Sequence, residues 1–287
     1  MRSVSCRDPK LGVVTDPSGE PRGVPEAIVR PDEAAQSIAV ARRFPRESLR
    51  PFVDYLWIVH WVVPDSRDQQ VLPQPKIHLA AERGRLLVHG VNRAPFHRTL
   101  SGTGHVIGVA FRAGGFRPFL RSSVGALEGT VQPAGPLVGA DDAPVAAAAL
   151  ATTDDDTMTT LVEDYLEHLA PQPDPAVDEV DRLVTLIESD RSVHRVDQLA
   201  AMTGTSARTL QRLFTEYVGI GPKWVIQRHR LLDAAAQAHD GTPVVWADLA
   251  QQLGFSDQAH LVRAFTAAVG TPPATYVRSL DGWRPRG

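Results

Sequence analysis

Two short stretches of the chain present the same hydrogen-bonding groups at nearly the same spacing. In "GTSARTLQRLF" (204–214) Arg208, Thr209, Gln211 and Arg212 are interleaved with Leu210, Leu213 and Phe214, and in "GFSDQAHLVRAF" (254–265) Gln258, His260 and Arg263 are interleaved with Leu261, Ala264 and Phe265. The apolar residues recur at i, i+3 and i+4, which gives a helix one buried face and gathers the polar residues on the other. Such groups can donate to or accept from base edges. Arg pairs in bidentate fashion with guanine and Gln with adenine, each good pair giving about 1–3 kcal/mol of discrimination.

Faces of this kind need a frame, and the chain writes the frame twice. Pairing Leu199 with Leu249 also pairs Ala200 with Ala250, Gly204 with Gly254 and Ser206 with Ser256; after one extra residue in the second copy, Arg212 meets Arg263, Phe214 meets Phe265, Gly219 meets Gly270 and Pro222 meets Pro273. A repeat of this kind is one supersecondary unit used twice. Each copy predicts a short helix, a sharp turn at Gly204 or Gly254, and a second helix capped by Ser206 in one copy and by Ser256 or Asp257 in the other: a helix-turn-helix. A solvated helix face is polar without any function, but two copies with the same core positions and an outward Arg in the same register argue against that reading.

Charge is informative only locally. With 30 Lys and Arg against 33 Asp and Glu, the net charge of -3 does not announce a nucleic-acid binder. Between residues 195 and 230, however, stand Arg195, Arg208, Arg212, Lys223, Arg228 and Arg230 against only Asp197 and Glu216, a basic segment inside an acidic chain. The single cysteine, Cys6, lies in a polar stretch, which excludes an internal disulfide framework and a Cys-based zinc site and fits a reducing cytoplasm. Asp8, Pro9, Asp16, Glu20 and Pro21 interrupt the opening where a signal peptide needs an apolar run, and no stretch approaches a membrane span.

The expected organisation is α+β in two domains. Residues 1–40 read as a disordered tail. Residues 41–170 read as a β-rich sensor or dimerisation domain, with the runs "YLWIVHWVV", "VLPQPKIHLAAE", "RLLVHGV", "PFHRTLSG" and "HVIGVAFR" cut by Gly, Pro and Asp, and with helices at its end. The segment 171–175, "PQPDP", is a Pro-rich linker, and 176–287 read as seven helices with short turns.

On these residues the chain resembles the DNA-binding domain of the AraC/XylS family of bacterial transcription regulators. The resemblance covers 180–280 and is carried by "LAAMTGTSARTLQRLFTEYVGIGPKWVIQRHRLLDAA" and "WADLAQQLGFSDQAHLVRAFTAAVGTPPATYVR". It implies two helix-turn-helix units joined by a long helix, matched by 222–238, that enter successive major-groove segments of double-stranded DNA. It assigns base or backbone contact to Arg208, Thr209, Gln211, Arg212, Gln258, His260 and Arg263; Lys223 and Arg228 are read as phosphate contacts. Ala259 stands where many members have a polar residue, which weakens the expected grip of the second unit. If each unit reads one groove segment, the segments lie about 34 Å apart. RNA polymerase and a second copy of the chain are the further protein partners such a regulator implies.

Residues 45–140 resemble a β-rich domain found in a subset of AraC-like proteins. Phe52, Tyr55, Trp57 and Trp61 can line an apolar effector pocket or serve as ordinary core. His60, His78, His89, His97 and His105 all fall in this part and raise a rival reading, a metal-dependent cupin-like enzyme fused to a DNA-binding module. The ligand spacing of a metal site is lacking among them, no Gly-x-Ser-x-Gly elbow occurs, and Cys6 is poorly placed for alkyl transfer. The expectation is a cytoplasmic, sequence-specific transcription regulator with no catalytic residues, no metal and no cofactor.

Overall fold

Runs of β-branched and aromatic residues at 53–63 and 105–111 form the two long central strands of a sheet. The computed structural model describes residues 38–239, 242 and 244–279; Cys6 and most of the expected tail lie outside them. Six strands, β1 (Ile38–Arg43), β2 (Val53–Val71), β3 (His78–Glu82), β4 (Arg85–His89), β5 (Phe96–Phe111) and β6 (Val131–Pro133), pair in the order β1-β2-β5-β3-β4-β6, and every pairing is antiparallel. The β3–β4 hairpin turns on Arg83 and Gly84, both at positive φ, 51° and 73°, as a two-residue turn of matching twist requires.

The two faces of this sheet have different fates. Leu56, Ile58, Leu79, Ala81, Leu86, Val88, Ile107, Val109 and Phe111 face one way and enter the main core. Their alternates, among them Trp57, Val59, Trp61, His78, Ala80 and Val106, face the other way into a cavity.

After the sheet come ten α-helices among the described residues. They are α1 (Ala134–Val138), α2 (Ala143–Ala151), α3 (Asp155–His168), α4 (Pro175–Ser189), α5 (Val196–Thr203), α6 (Ala207–Leu213), α7 (Pro222–His239), α8 (Trp246–Gln252), α9 (Gln258–Val269) and α10 (Pro273–Ser279). Pro175 opens α4 at the position where its missing N–H costs nothing, and the Asp174 carboxylate accepts from the Ala176 N–H at 2.9 Å. None of the described helices is long and apolar enough to cross a membrane.

The main core runs without a break across the Pro-rich segment. Sheet residues and α3 share it with Val180, Leu183, Val184 and Ile187 of α4, Leu199 of α5, Leu210 and Leu213 of α6, and Phe214. Polar contacts reinforce the seam: Arg112 lies 2.9 Å from both Asp178 and Asp181, Arg117 lies 2.6 Å from Glu216, and the Tyr217 hydroxyl donates to Asp174 at 2.7 Å. A second, smaller core holds Leu231, Ala235, Ala250, Leu253, Leu261, Phe265 and Val269, and Leu72 from the end of β2.

Strand pairing runs beyond the sequence expectation in three places. Ile38, Ala39 and Val40, read as tail, belong to β1 and pair with Trp61, His60 and Val59. The polar run 64–70 continues β2 past an irregularity between Val63 and Arg67, and the two runs at 95–102 and 105–112 are one strand. In each case pairing to a neighbouring strand overrides weak local propensity.

Candidate nucleic-acid interface

The first unit comprises α5, a turn and α6. Gly204 ends α5 in the left-handed region at φ 65°, and Ser206 then caps α6, its hydroxyl accepting from the Thr209 N–H at 3.1 Å. Leu210 and Leu213 are buried below, and Arg208, Gln211 and Arg212 are exposed above. Thr209 is half-buried, with its hydroxyl 2.9 Å from that of Ser206, and the Gln211 amide donates to Thr215 Oγ1 at 3.3 Å. The cations exposed on this face are therefore Arg208 and Arg212.

The second unit repeats the construction through α8 and α9. Gly254 has φ 71°, and here Asp257 rather than Ser256 is the cap, its carboxylate accepting from the His260 N–H at 2.7 Å. That bond, the Ser256 hydroxyl and the nearby Arg263 and His260 hold the Asp257 carboxyl below its ordinary range. Gln258, Ala259, His260 and Arg263 are all exposed while Leu261 and Phe265 are buried. His260 is not loose: its Nδ1 lies 3.2 Å from Ser256 Oγ and its ring stands edge-on to Phe255 at 5.2 Å.

The basic segment splits into two groups once folded. Lys223, in the first turn of α7, is exposed as a phosphate contact must be. Arg228, expected to do the same, is only 7% exposed and donates from Nε to the Pro73 carbonyl, so the phosphate role is corrected to a structural one. Arg230 is 3% exposed and donates to the carbonyls of Ile187 and Asp190, closing the end of α4. Arg195 reaches from the first unit to the second, donating to the carbonyls of Gln251 and Gln252 at 3.2 Å each. A buried guanidinium that satisfies backbone carbonyls has the same sequence signature as one that meets DNA.

On the far face of the sheet lies a cavity of about 260 Å³. Trp57, Trp61 and Tyr55 line it, whereas Phe52 belongs to the main core. Trp57 is opposite Gly108 in the β2–β5 register and Trp61 is opposite Gly104; a Cβ on either glycine would stand 2.2 Å or 2.4 Å from the indole, so both rings lie over bare backbone. His78 also lines the cavity, and burial, followed by the charges of Lys76 and His89, lowers its pKa to about 3. Elsewhere on the sheet His60 Nε2 is 2.8 Å from Asp155 Oδ1 and its ring is 5.8 Å from that of His105. Among the described residues no three His, Cys, Asp or Glu side chains are grouped to hold a metal ion.

Comparison with known proteins matches two separate parts of the chain. Residues 199–279 match the family described as a helix-turn-helix domain, and residues 41–133 match a domain of unknown function, DUF6597. The HTH-type transcriptional regulator RipA of Corynebacterium glutamicum is 31% identical over 98 residues, which is 34% of this chain and 29% of RipA. The probable transcription factor PqrA of Proteus vulgaris is 32% identical over 82 residues, 29% of this chain and 66% of PqrA. The chain thus spans less than two thirds of either relative. Solved structures include the DNA-binding domain of AdpA in complex with a target DNA, at 25% identity over 40% of this chain and 99% of that one with a TM-score of 0.27. ToxT of Vibrio cholerae covers 86% of this chain and all of its own at 12% identity and a TM-score of 0.36. Superpositions at these scores carry no functional weight.

Proposed function

We propose, from the premise that residues 199–279 are an AraC-type helix-turn-helix domain, that the chain is a sequence-specific regulator of transcription that reads two successive major-groove segments of double-stranded DNA. The observation that carries this reading is the duplicated construction: a left-handed glycine, a side-chain cap and an exposed polar helix face, built twice with an Arg at matching positions, Arg212 and Arg263. One such face is common; two held in a fixed frame suit a repeating lattice of base edges.

In this proposal Arg208, Thr209, Gln211 and Arg212 read one segment and Gln258, His260 and Arg263 the other, with Lys223 on phosphate. Thr209 and His260 take part through the groups their local bonds leave over. The sheet half, up to the segment 171–175, acts as a sensor, and the cavity lined by Trp57 and Trp61 is its effector site.

The test is selection of the full chain against a randomised duplex pool, with the salt dependence of the best site recorded. Two short enriched blocks about one helical turn apart support the reading; equal, salt-sensitive binding to all sequences overturns it.

A further inference from the structure

The cavity and the second helix-turn-helix unit share one piece of chain. Gln69, Leu72, Pro73 and Gln74 line the cavity at the end of β2. The same segment grips the second unit: Gln70 Nε2 donates to the carbonyl of Val269, the last residue of α9, at 2.7 Å. Pro73 accepts from Arg228 of α7, and Leu72, 3% exposed, is packed into the second unit's core. Gly270 leaves room for the grip, since a Cβ there would stand 2.2 Å from Gln70 Nε2. Beside it a shallow pocket of about 10 Å³ lies between Leu72 and Pro73 on one side and Leu231, Leu232, Ala268 and Val269 on the other. The first unit has no such seam, because its Leu199, Leu210 and Leu213 belong to the main core.

The lining of the cavity also limits what can enter it. Its walls are mainly indole rings and aliphatic side chains, with Gln69, Gln74, Asn92 and Thr130 among them, and two of its cations have carboxylate partners. Lys76 lies 2.6 Å from Asp54, and Arg98 and His89 lie 3.2 Å and 3.3 Å from Glu82. The Arg98 guanidinium also covers the Trp61 ring at 5.5 Å, and that of Arg42 covers Tyr55 at 4.1 Å. An ionic ligand would have to be desolvated against groups that have partners already.

We propose that the cavity takes an uncharged, flat, mainly apolar molecule against the Trp57 ring, and that residues 69–74 relay its occupancy to the second helix-turn-helix unit, shifting that unit while the first stays in place. This rests on reading the chain as a two-headed DNA binder whose cavity is an effector site.

The test uses the full chain and two fluorescent probes that differ by one charge, N-phenyl-1-naphthylamine and its 8-sulfonate. Tryptophan quenching, and its loss in Val59→Phe, which narrows the cavity, locate the probe. Hydrogen exchange is then followed in residues 196–213 and 258–279. The neutral probe is expected to bind about tenfold more tightly than the sulfonate. It should change exchange in 258–279 by about fivefold or more and leave 196–213 unchanged. Gln70→Ala should bind the probe equally well and lose that change. Equal binding of the sulfonate overturns the ligand class. Binding without a response in 258–279 overturns the relay and leaves the DNA reading intact, and failure of the neutral probe to bind overturns the whole proposal. Selection against the DNA pool decides the two-headed reading independently of all three.

Discussion

The Trp57 indole lies across the α-carbon of Gly108, its partner on the neighbouring strand, so closely that a methyl group at 108 would stand 2.2 Å from the ring. The glycine is therefore a seat for the ring. Gly108→Ala should displace Trp57 into the cavity, lower stability by about 1–3 kcal/mol as overpacking does, and abolish probe binding. Adding Trp57→Leu should recover stability without recovering binding. Urea unfolding with tryptophan fluorescence measures both; an unchanged midpoint in Gly108→Ala would show that the ring does not need its seat.

The exposed cations should separate by role. Arg212→Ala is expected to cost about 1–3 kcal/mol on the selected site and to relax the base preference at one position, because a bidentate pair is lost. Lys223→Ala should weaken all sequences alike and reduce the slope of log K against log salt by about 0.9. Binding isotherms at four salt concentrations distinguish the two, and an Arg212→Ala variant with unaltered affinity at moderate salt would mean that the reading face is misassigned.

Arg228 should behave unlike either. Arg228→Met leaves the buried Pro73 carbonyl without its donor and is expected to destabilise the fold by about 1–3 kcal/mol. The salt slope of DNA binding should not move, since the guanidinium never reaches phosphate. Chemical denaturation beside the same salt series checks both halves of the statement.

His78 predicts a pH dependence with a definite sign. Its folded pKa is depressed from 6.5 to about 3, by burial first and then by Lys76 and His89, with Arg42 adding and Asp54 opposing. Unfolded chains take up the proton at pH 6.5 and the folded protein does not, so the contribution is complete above pH 6.5 and is lost as the pH falls toward 3. Stability of the parent chain should drop through that window more steeply than that of His78→Gln, as followed by unfolding at a series of pH values. Parallel curves would show that the imidazole is protonated inside the fold.

How much of the molecule is legible in its sequence depends on how local each feature is. The two units are readable because caps, turns and helix faces are written within about a dozen residues, and even there Asp257 takes the cap that Ser256 could equally have held. The split of the basic segment is not readable: Arg228 is matched by a carbonyl 155 residues away and Arg230 by carbonyls 40 and 43 residues away, and nothing in the local pattern separates them from Lys223. The seating of Trp57 and Trp61 requires the register of β2 on β5, which is set by pairing along the whole strands. The histidines have no geometry until the sheet puts His78 on one face and His60 on the other.

The two helix-turn-helix units are anchored unequally, and under the proposed DNA reading an operator should carry the imprint. One is part of the same packed body as the sheet; the other rides on its own small core at the end of α7, tethered by Gln70, Leu72 and Arg195. A collection of natural sites should then show one block of constant sequence and a second block whose distance from the first drifts by a base pair from site to site, because the tether gives where the frame does not. Docking would begin with the fixed reader, and the residence time on each site would be decided by how well the tethered one finds its step.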